Sequence, residues 1–431
     1  MIIKKTALKK CVMEIGLSIL LWIIIFDPPL IAQFNILHLM GVGAITYLAF
    51  KRIIRKSFLR IEIVLLMLYL YAVVVSVLNG NMELLTMHYI YWMLDIVPLA
   101  YVFWEICEKK NIDYIRFENI LILSGLIAAC LAFASLINSD IHDFFIQSLI
   151  GARYDAEYLK TWAHRSHGYA SNLQFSSPIA MAMIALLSMN RLFLTNKIRY
   201  LFISGFLVAM AFVSARTSLI VFIAGTIVLC VLNAKKLRII GKVAIIIVSG
   251  LLITFNSLEN YIQTHSSYNS QIYWLYDGLS NIFSLFSNKV KVYYNSLEYF
   301  GSSNKYIFPD NPLNLLFGTS ETIMSSNPYN VYSDIGYVND IWFGGILYTV
   351  VIYMCFFYMV LMINRSIHSG SRRYDLGITL SILFAVLISN IKGIAFSFNN
   401  ITSLIWIILI YVINKRKAKD KGHGTLSISV L

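Results

Sequence analysis

The sequence predicts an all-α fold: a polytopic integral membrane protein of about twelve transmembrane helices with one large extracytoplasmic loop. Three observations predict it. Of 431 residues, 58% are hydrophobic and only 13% are charged, with a mean hydropathy of +0.70, more apolar surface than a soluble chain of this size can cover. Apolar runs near the ~20 residues needed to cross a bilayer recur along the whole chain. Between them, lysine and arginine collect in alternate short segments, the pattern of cytoplasmic loops.

In chain order, the apolar runs place helices at about 15–33, 36–50, 61–78, 84–106, 117–137, 169–189, 198–214, 217–232, 238–255, 334–363, 374–390 and 394–413. The basic start "MIIKKTALKK" leads into the first of these with no small-residue cleavage site, so it reads as a membrane helix and not a removed signal. The second and seventh are short for a ~30 Å core and read as re-entrant or half-buried. This divides the chain into helices one to nine over 1–255, a large outer loop over 256–333, helices ten to twelve over 334–413, and a basic, disordered tail over 414–431. A second outer segment covers 138–168.

The charges fix an orientation for this arrangement. With the N-terminus in the cytoplasm, 27 of the 35 Lys and Arg fall in the N-terminal arm, 51–60, 108–116, 190–199, 233–242, 364–373 and the tail. Both termini are then cytoplasmic, and the formal net charge of +13 reflects orientation and not nucleic-acid binding. Cys11, Cys107, Cys130, Cys230 and Cys355 all lie in or beside apolar segments, which argues against a disulfide framework. Eight scattered histidines give no metal-ligand spacing, and phosphate-loop, dinucleotide and HExxH motifs are missing. No metal and no cofactor is expected.

Candidate chemistry gathers on the outer face. "FVSARTSLIVF", 212–222, places Arg216 at the mouth between helices seven and eight. "RSHGYASNLQFSSPIAM", 165–181, brings Arg165, His167, Asn172 and Gln174 to the entry of helix six, a polarity that suits a cavity lining. Arg153 lies in the same outer segment. Asp334 and Asp340 open helix ten. Guanidinium presents a planar fork of donors and stays charged, so Arg216, Arg165 and Arg153 suit a diphosphate at headgroup depth. Competing readings stand beside this: arginines snorkel to lipid phosphates, and Asp334 is placed to cap its helix. Asp27 and Asp95, in apolar surroundings, need partners. Residues 272–286, "QIYWLYDGLSNIFSL", carry Leu275, Leu279, Ile282 and Phe286 on one helical stripe, read as either a membrane-surface helix or a packed helix of the loop.

Four stretches in this order, "RSHGY", "SARTSL", "LLFGTSE" and "YSDIGYVNDIWFGGIL", together with a dozen helices and one large outer loop, resemble the bacterial O-antigen polymerase (Wzy-type) family, within the wider O-antigen ligase and polymerase group. Ligases of that group typically carry a histidine–asparagine pair before their late helix. Here the matching stretch is Tyr329 to Asp334 with no histidine, which favours polymerase. The resemblance implies a metal-independent glycosyltransferase in the bacterial cytoplasmic (inner) membrane. It would join undecaprenyl-diphosphate-linked oligosaccharide units into O-antigen or capsule, alongside a flippase and a chain-length regulator. In that role Arg216 would steady the departing diphosphate, with Arg165 and Arg153 binding it. Asp334 or Asp340 would accept the acceptor's proton, Asp334 being favoured because it sits at the loop junction. The rival class is a lipid-oligosaccharide flippase or other transporter, which predicts internal repeats and deep charges. This sequence shows no internal repeat, few deep charges and one dominant outer loop.

Overall fold

The computed structural model describes residues 2–30, 35–51, 56–80, 84–149, 165, 168–171, 175–264, 270–284, 305–324, 329–366, 372–397 and 399–424. Among the described residues the architecture is helical, with no strand. The helices are α1 (Ile2–Phe26), α2 (Ile36–Phe50), α3 (Lys56–Asn79), α4 (Leu84–Tyr91), α5 (Val97–Lys109), α6 (Tyr114–Ile137), α7 (Ser139–Leu149), α8 (Ser176–Thr195), α9 (Arg199–Ser214), α10 (Thr217–Leu232), α11 (Leu237–Thr264), α12 (Ser270–Ser284), α13 (Pro312–Phe317), α14 (Gly336–Ser366), α15 (Arg372–Ser389) and α16 (Asn400–Gly424). A π-helical turn, Trp92–Ile96, joins α4 to α5. Five spans among the described residues are long and apolar enough to cross a membrane: Lys56–Asn79, Thr86–Lys109, Tyr114–Ile137, Ser176–Thr195 and Gly336–Arg365.

The bundle is organised around α8. Of its apolar window 89% is buried, against 22% for α3 and 28% for α14, so α8 is the axis and the other two are rim helices. Its run of Ala, Met, Ile and Leu, flanked by glycines on its neighbours, allows this. A Cβ on Gly125 of α6 would stand 2.8 Å from Ile184, and one on Gly225 of α10 would stand 2.5 Å from Leu186. The α8 axis also buries an ion pair, Arg191 Nε to Glu118 Oε2 of α6 at 3.1 Å, with Arg191 also donating to the Ile115 carbonyl at 3.0 Å. Arg191, counted from sequence as a loop cation, is therefore an interior residue.

Other boundaries differ for identifiable reasons. The first helix starts at Ile2 and stops at Phe26, not at 33, because Asp27 (φ 45°) and Pro28–Pro29 break it. The sixth predicted helix begins at Ser176, not 169; Pro178 then sits in its first turn, where a missing N–H costs nothing. Helix α11 runs past 255 to Thr264, into the stretch assigned to the large loop. Helix α16 starts at Asn400 and continues to Gly424 through most of the stretch read as a disordered tail; 425–431 lie outside the described residues.

Helix α2 is as short as the sequence indicated. Its Asn35 side chain caps Leu37 N at 2.9 Å. Its first turn places His38 Nδ1 2.5 Å from Asp95 Oδ2, and its last places the Tyr47 hydroxyl 3.3 Å from Glu105 Oε1. Asp95 lies eleven residues beyond Leu84, about 16 Å along that helix. Helix α2 therefore accompanies only the second part of it, and the partner that Asp95 requires is His38.

A second, smaller apolar core belongs to the late loop. Ile323, Ile335, Val338 and Trp342 are buried together, with Ile307, Val331 and Tyr337 against them. Asn339, fully buried, ties it together: its Oδ1 accepts from Ile323 N at 2.8 Å, and its Nδ2 donates to the Ser333 and Ile335 carbonyls at 2.9 and 2.8 Å. Asn339→Ala strands buried backbone groups, each worth about 1–3 kcal/mol. The expected result is a loss of about 2–5 kcal/mol in this unit, read as a lower midpoint of thermal unfolding in detergent.

Candidate functional site

Arg165, Tyr169 and Phe175 bring α7, α12 and the start of α14 together at one end of the bundle, the end predicted to face outward. There the polar backbone turns of several helices come together. Helices α9 and α10 have sixteen residues each, about 24 Å, shorter than a ~30 Å hydrocarbon core. Arg216 stands in the turn between them.

Arg216 Nη2 donates to Asp277 Oδ2 at 2.7 Å and to the Trp274 carbonyl at 3.0 Å. Its guanidinium carbon lies 3.8 Å from the centroid of the Trp274 ring, and that of Arg165 lies 4.4 Å from the same ring. Arg165 Nη1 also donates to the Ser214 carbonyl at 3.4 Å. The two guanidiniums predicted to act together thus share one indole. Trp274, Asp277 and Gly278 are spaced i, i+3 and i+4 on α12, so one helical face presents all three. Gly278 is required there: a Cβ would stand 2.9 Å from both Arg216 Nε and Phe212 Cζ. Leu275 and Leu279 pack into the main core, so α12 is a packed helix of the loop. Burial pushes the Arg216 guanidinium below its ordinary value, and the Asp277 carboxylate works against that shift. The Asp277 side chain keeps 39% of its exposure, against 18% for Arg216.

A second feature is the break in α14. Gly345 has φ 76° and ψ −179°, which interrupts the helix after eight or nine residues. The carbonyls freed there need donors. The "LLFGTSE" stretch supplies them: Thr319 N donates to Trp342 O at 2.7 Å and Ser320 N to Phe343 O at 2.9 Å. Tyr71 of α3 donates to Gly344 O at 2.8 Å. Ser320 Oγ in turn meets Ser76 Oγ at 2.5 Å, and Tyr89 pairs with Tyr348 through their hydroxyls. The two late stretches that the sequence analysis singled out separately are one structural unit.

Asp334 and Asp340 both face the α15–α16 connection. Lys392 Nζ lies 3.1 Å from Asp334 Oδ2. Asn390 Nδ2 donates to Asp340 Oδ2 at 2.9 Å, the Tyr353 hydroxyl donates to the same oxygen at 3.2 Å, and Asn390 also contacts Tyr353. Asp340 is 1% exposed. It is therefore enclosed, while Asp334, also buried, is paired with the more exposed Lys392. Asn390 and Lys392 close this cluster, and both lie in the tight turn that follows α15.

Arg165 belongs to the first cluster, and Phe175 and Ser176 pack beside the second. Ser171 N donates to Phe26 O at 3.1 Å, and the Tyr169 hydroxyl to Pro29 O at 3.0 Å. The Phe175 ring lies against Gly393, where a Cβ would stand 3.2 Å away. Ser176 Oγ donates to Asn400 Oδ1 at 2.6 Å, and Asn400 Nδ2 to Ile25 O at 2.7 Å. Arg153, His167, Asn172 and Gln174 lie outside the described residues. Among the described residues no group of three or more His, Cys, Asp or Glu is arranged to hold a metal ion.

Comparison with protein-family models, with curated proteins and with solved structures finds no match for this chain.

Proposed function

We propose that this chain is a twelve-span glycosyltransferase of the bacterial cytoplasmic membrane, with both termini in the cytoplasm. It polymerises undecaprenyl-diphosphate-linked oligosaccharide units on the outer face. The single observation that carries this reading is the convergence of Arg165 and Arg216 on Trp274 beside the partly exposed Asp277. Two guanidiniums gathered on one indole offer several donors to a diphosphate. The short α9–α10 hairpin suits a headgroup drawn below the bilayer surface.

In this mechanism the acceptor's terminal hydroxyl oxygen forms a bond to the anomeric carbon of the growing glycan. The bond from that carbon to the diphosphate oxygen breaks, and its electron pair leaves on undecaprenyl diphosphate. Arg216 and Arg165 stabilise the charge that develops there. The diphosphate takes the position that Asp277 now occupies on Arg216. The displaced carboxylate, beside the reacting carbon, accepts the hydroxyl proton. Asp277 replaces Asp334 as the favoured base because it stands beside the two arginines and because its side chain is the more exposed. Asp340, enclosed by Asn390 and Tyr353, fixes the α15–α16 turn. A flippase and a chain-length regulator would work beside it.

Deleting the gene and resolving the surface glycan by electrophoresis tests the class. The expected product is lipid carrying a single repeat unit. Loss of all surface glycan would mark a flippase, and full-length polymer left unattached to its final acceptor would mark a ligase.

A further inference from the structure

A cavity of about 270 Å³ lies away from the arginine cluster, between α3, α14 and α16. Its wall is largely apolar and includes Leu65, Leu68, Met359, Phe356, Trp406 and Leu409. Helix α3 is tied to the rest at both ends of this gap. Ser57 Oγ donates to Asn414 Oδ1 of α16 at 3.0 Å, and Tyr71 bonds Gly344 O of α14 at 2.8 Å. Between those ties the helices stand apart, and exposed Val64 and Tyr358 border the opening. The rim position of α3 and α14 turns that opening toward the bilayer. At the end nearer the basic loops the lining includes Arg60 and Ser57. Arg60 pairs with no carboxylate among the described residues.

We infer that this groove binds one acyl chain of an anionic phospholipid from the leaflet on the basic-loop side, with the lipid phosphate on Arg60. Water is a poor occupant, because it needs two to four polar partners that this wall does not supply. A hydrocarbon tail fills such a gap at no desolvation cost. Arg60 lies where a basic side chain at a helix end meets the phosphate layer. The opposite end is closed by Ala395, Phe396 and Thr402. Ala395 N is held by Asn390 Oδ1 at 2.7 Å, and Phe396 packs on Tyr353 with ring centroids 4.9 Å apart. The tail thus supports the wall behind Asp340. This inference does not depend on the glycan-transfer reading.

The full chain in nanodiscs is exposed to phosphatidylglycerol bearing a diazirine on its acyl chain, irradiated, and its label mapped by mass spectrometry. Label is expected to concentrate on Leu65, Met359 and Leu409 over bilayer-facing Val74, Phe202 and Ile227. Arg60→Gln should lower the groove label about fivefold and leave the other positions unchanged. Leu68→Trp, which fills the gap, should lower it for phosphatidylglycerol and phosphatidylcholine probes alike, and its thermal midpoint reports folding. Groove label equal to that at the bilayer-facing positions overturns the inference. So does groove label that is the same for both lipids and indifferent to Arg60→Gln.

Discussion

Arg216→Ala is expected to abolish polymerisation while the protein still reaches the membrane in normal amount. Removing one preorganised donor from a site of developing negative charge costs about 10²–10³ in rate. Here the substitution also removes a guanidinium stacked on Trp274 and bonded to Asp277. Arg216→Lys should restore only part of the rate, since an ammonium cannot keep the indole contact and a two-pronged bond at once. Asp277→Asn separates two roles. As an amide it still accepts a bond from Arg216 but cannot take a proton, so most activity should be lost at normal protein level. Asp334→Asn should do less, and Asp340→Asn should chiefly lower stability. The readout is the glycan ladder, normalised to membrane protein. A wild-type ladder from Arg216→Ala would return Arg216 to the snorkelling role, and one from Asp277→Asn would leave the acceptor proton to solvent.

The residues of this site were unequally legible. Arg216 stood out because an ion in a short apolar turn demands a reason, and Arg165 because it opened a polar helix entry. The apolar periodicity likewise located α2, α9 and α10 to within a residue. Asp277 escaped because a loop helix tolerates an aspartate almost anywhere, and Trp274 is one aromatic ring among many in the 256–333 loop. Only their spacing with Gly278, three residues that share one face, distinguishes them. Asn390 and Lys392 escaped for another reason: their importance comes from contacts fifty and fifty-eight positions away, with Asp340 and Asp334. Hydropathy alone carries the first helix to 33, whereas Pro28–Pro29 end it at Phe26. The break in α14 had a signal that went unread. The apolar run at 334–363 is longer than a bilayer requires, and it contains two adjacent glycines.

That break gives the largest expected effect on the fold. Gly345→Ala should prevent stable assembly of the long-loop end. A φ of 76° with ψ near 180° is a region that glycine alone visits freely. Backbone strain there costs about 1–3 kcal/mol. The new Cβ would also overlap the Leu316 carbonyl and stand 2.5 Å from Phe317 N. Those are backbone atoms of the turn that satisfies Trp342 O and Phe343 O, so relief of the clash opens two buried hydrogen bonds. Each bond lost adds about 1–3 kcal/mol, and the sum rivals the whole stability of a small unit. A Gly345→Ala protein should therefore show little folded material and an early unfolding midpoint. The same substitution at Gly205 of α9 meets nothing within 4 Å. It should stabilise by about 0.5–1 kcal/mol, because alanine loses less backbone entropy in a helix. Parallel melts of the two variants in detergent separate a break required by the 315–321 turn from a merely tolerated glycine. Equal midpoints would mean that α14 can run straight through Gly345. The late loop would then need another anchor than the three carbonyls at 342–344.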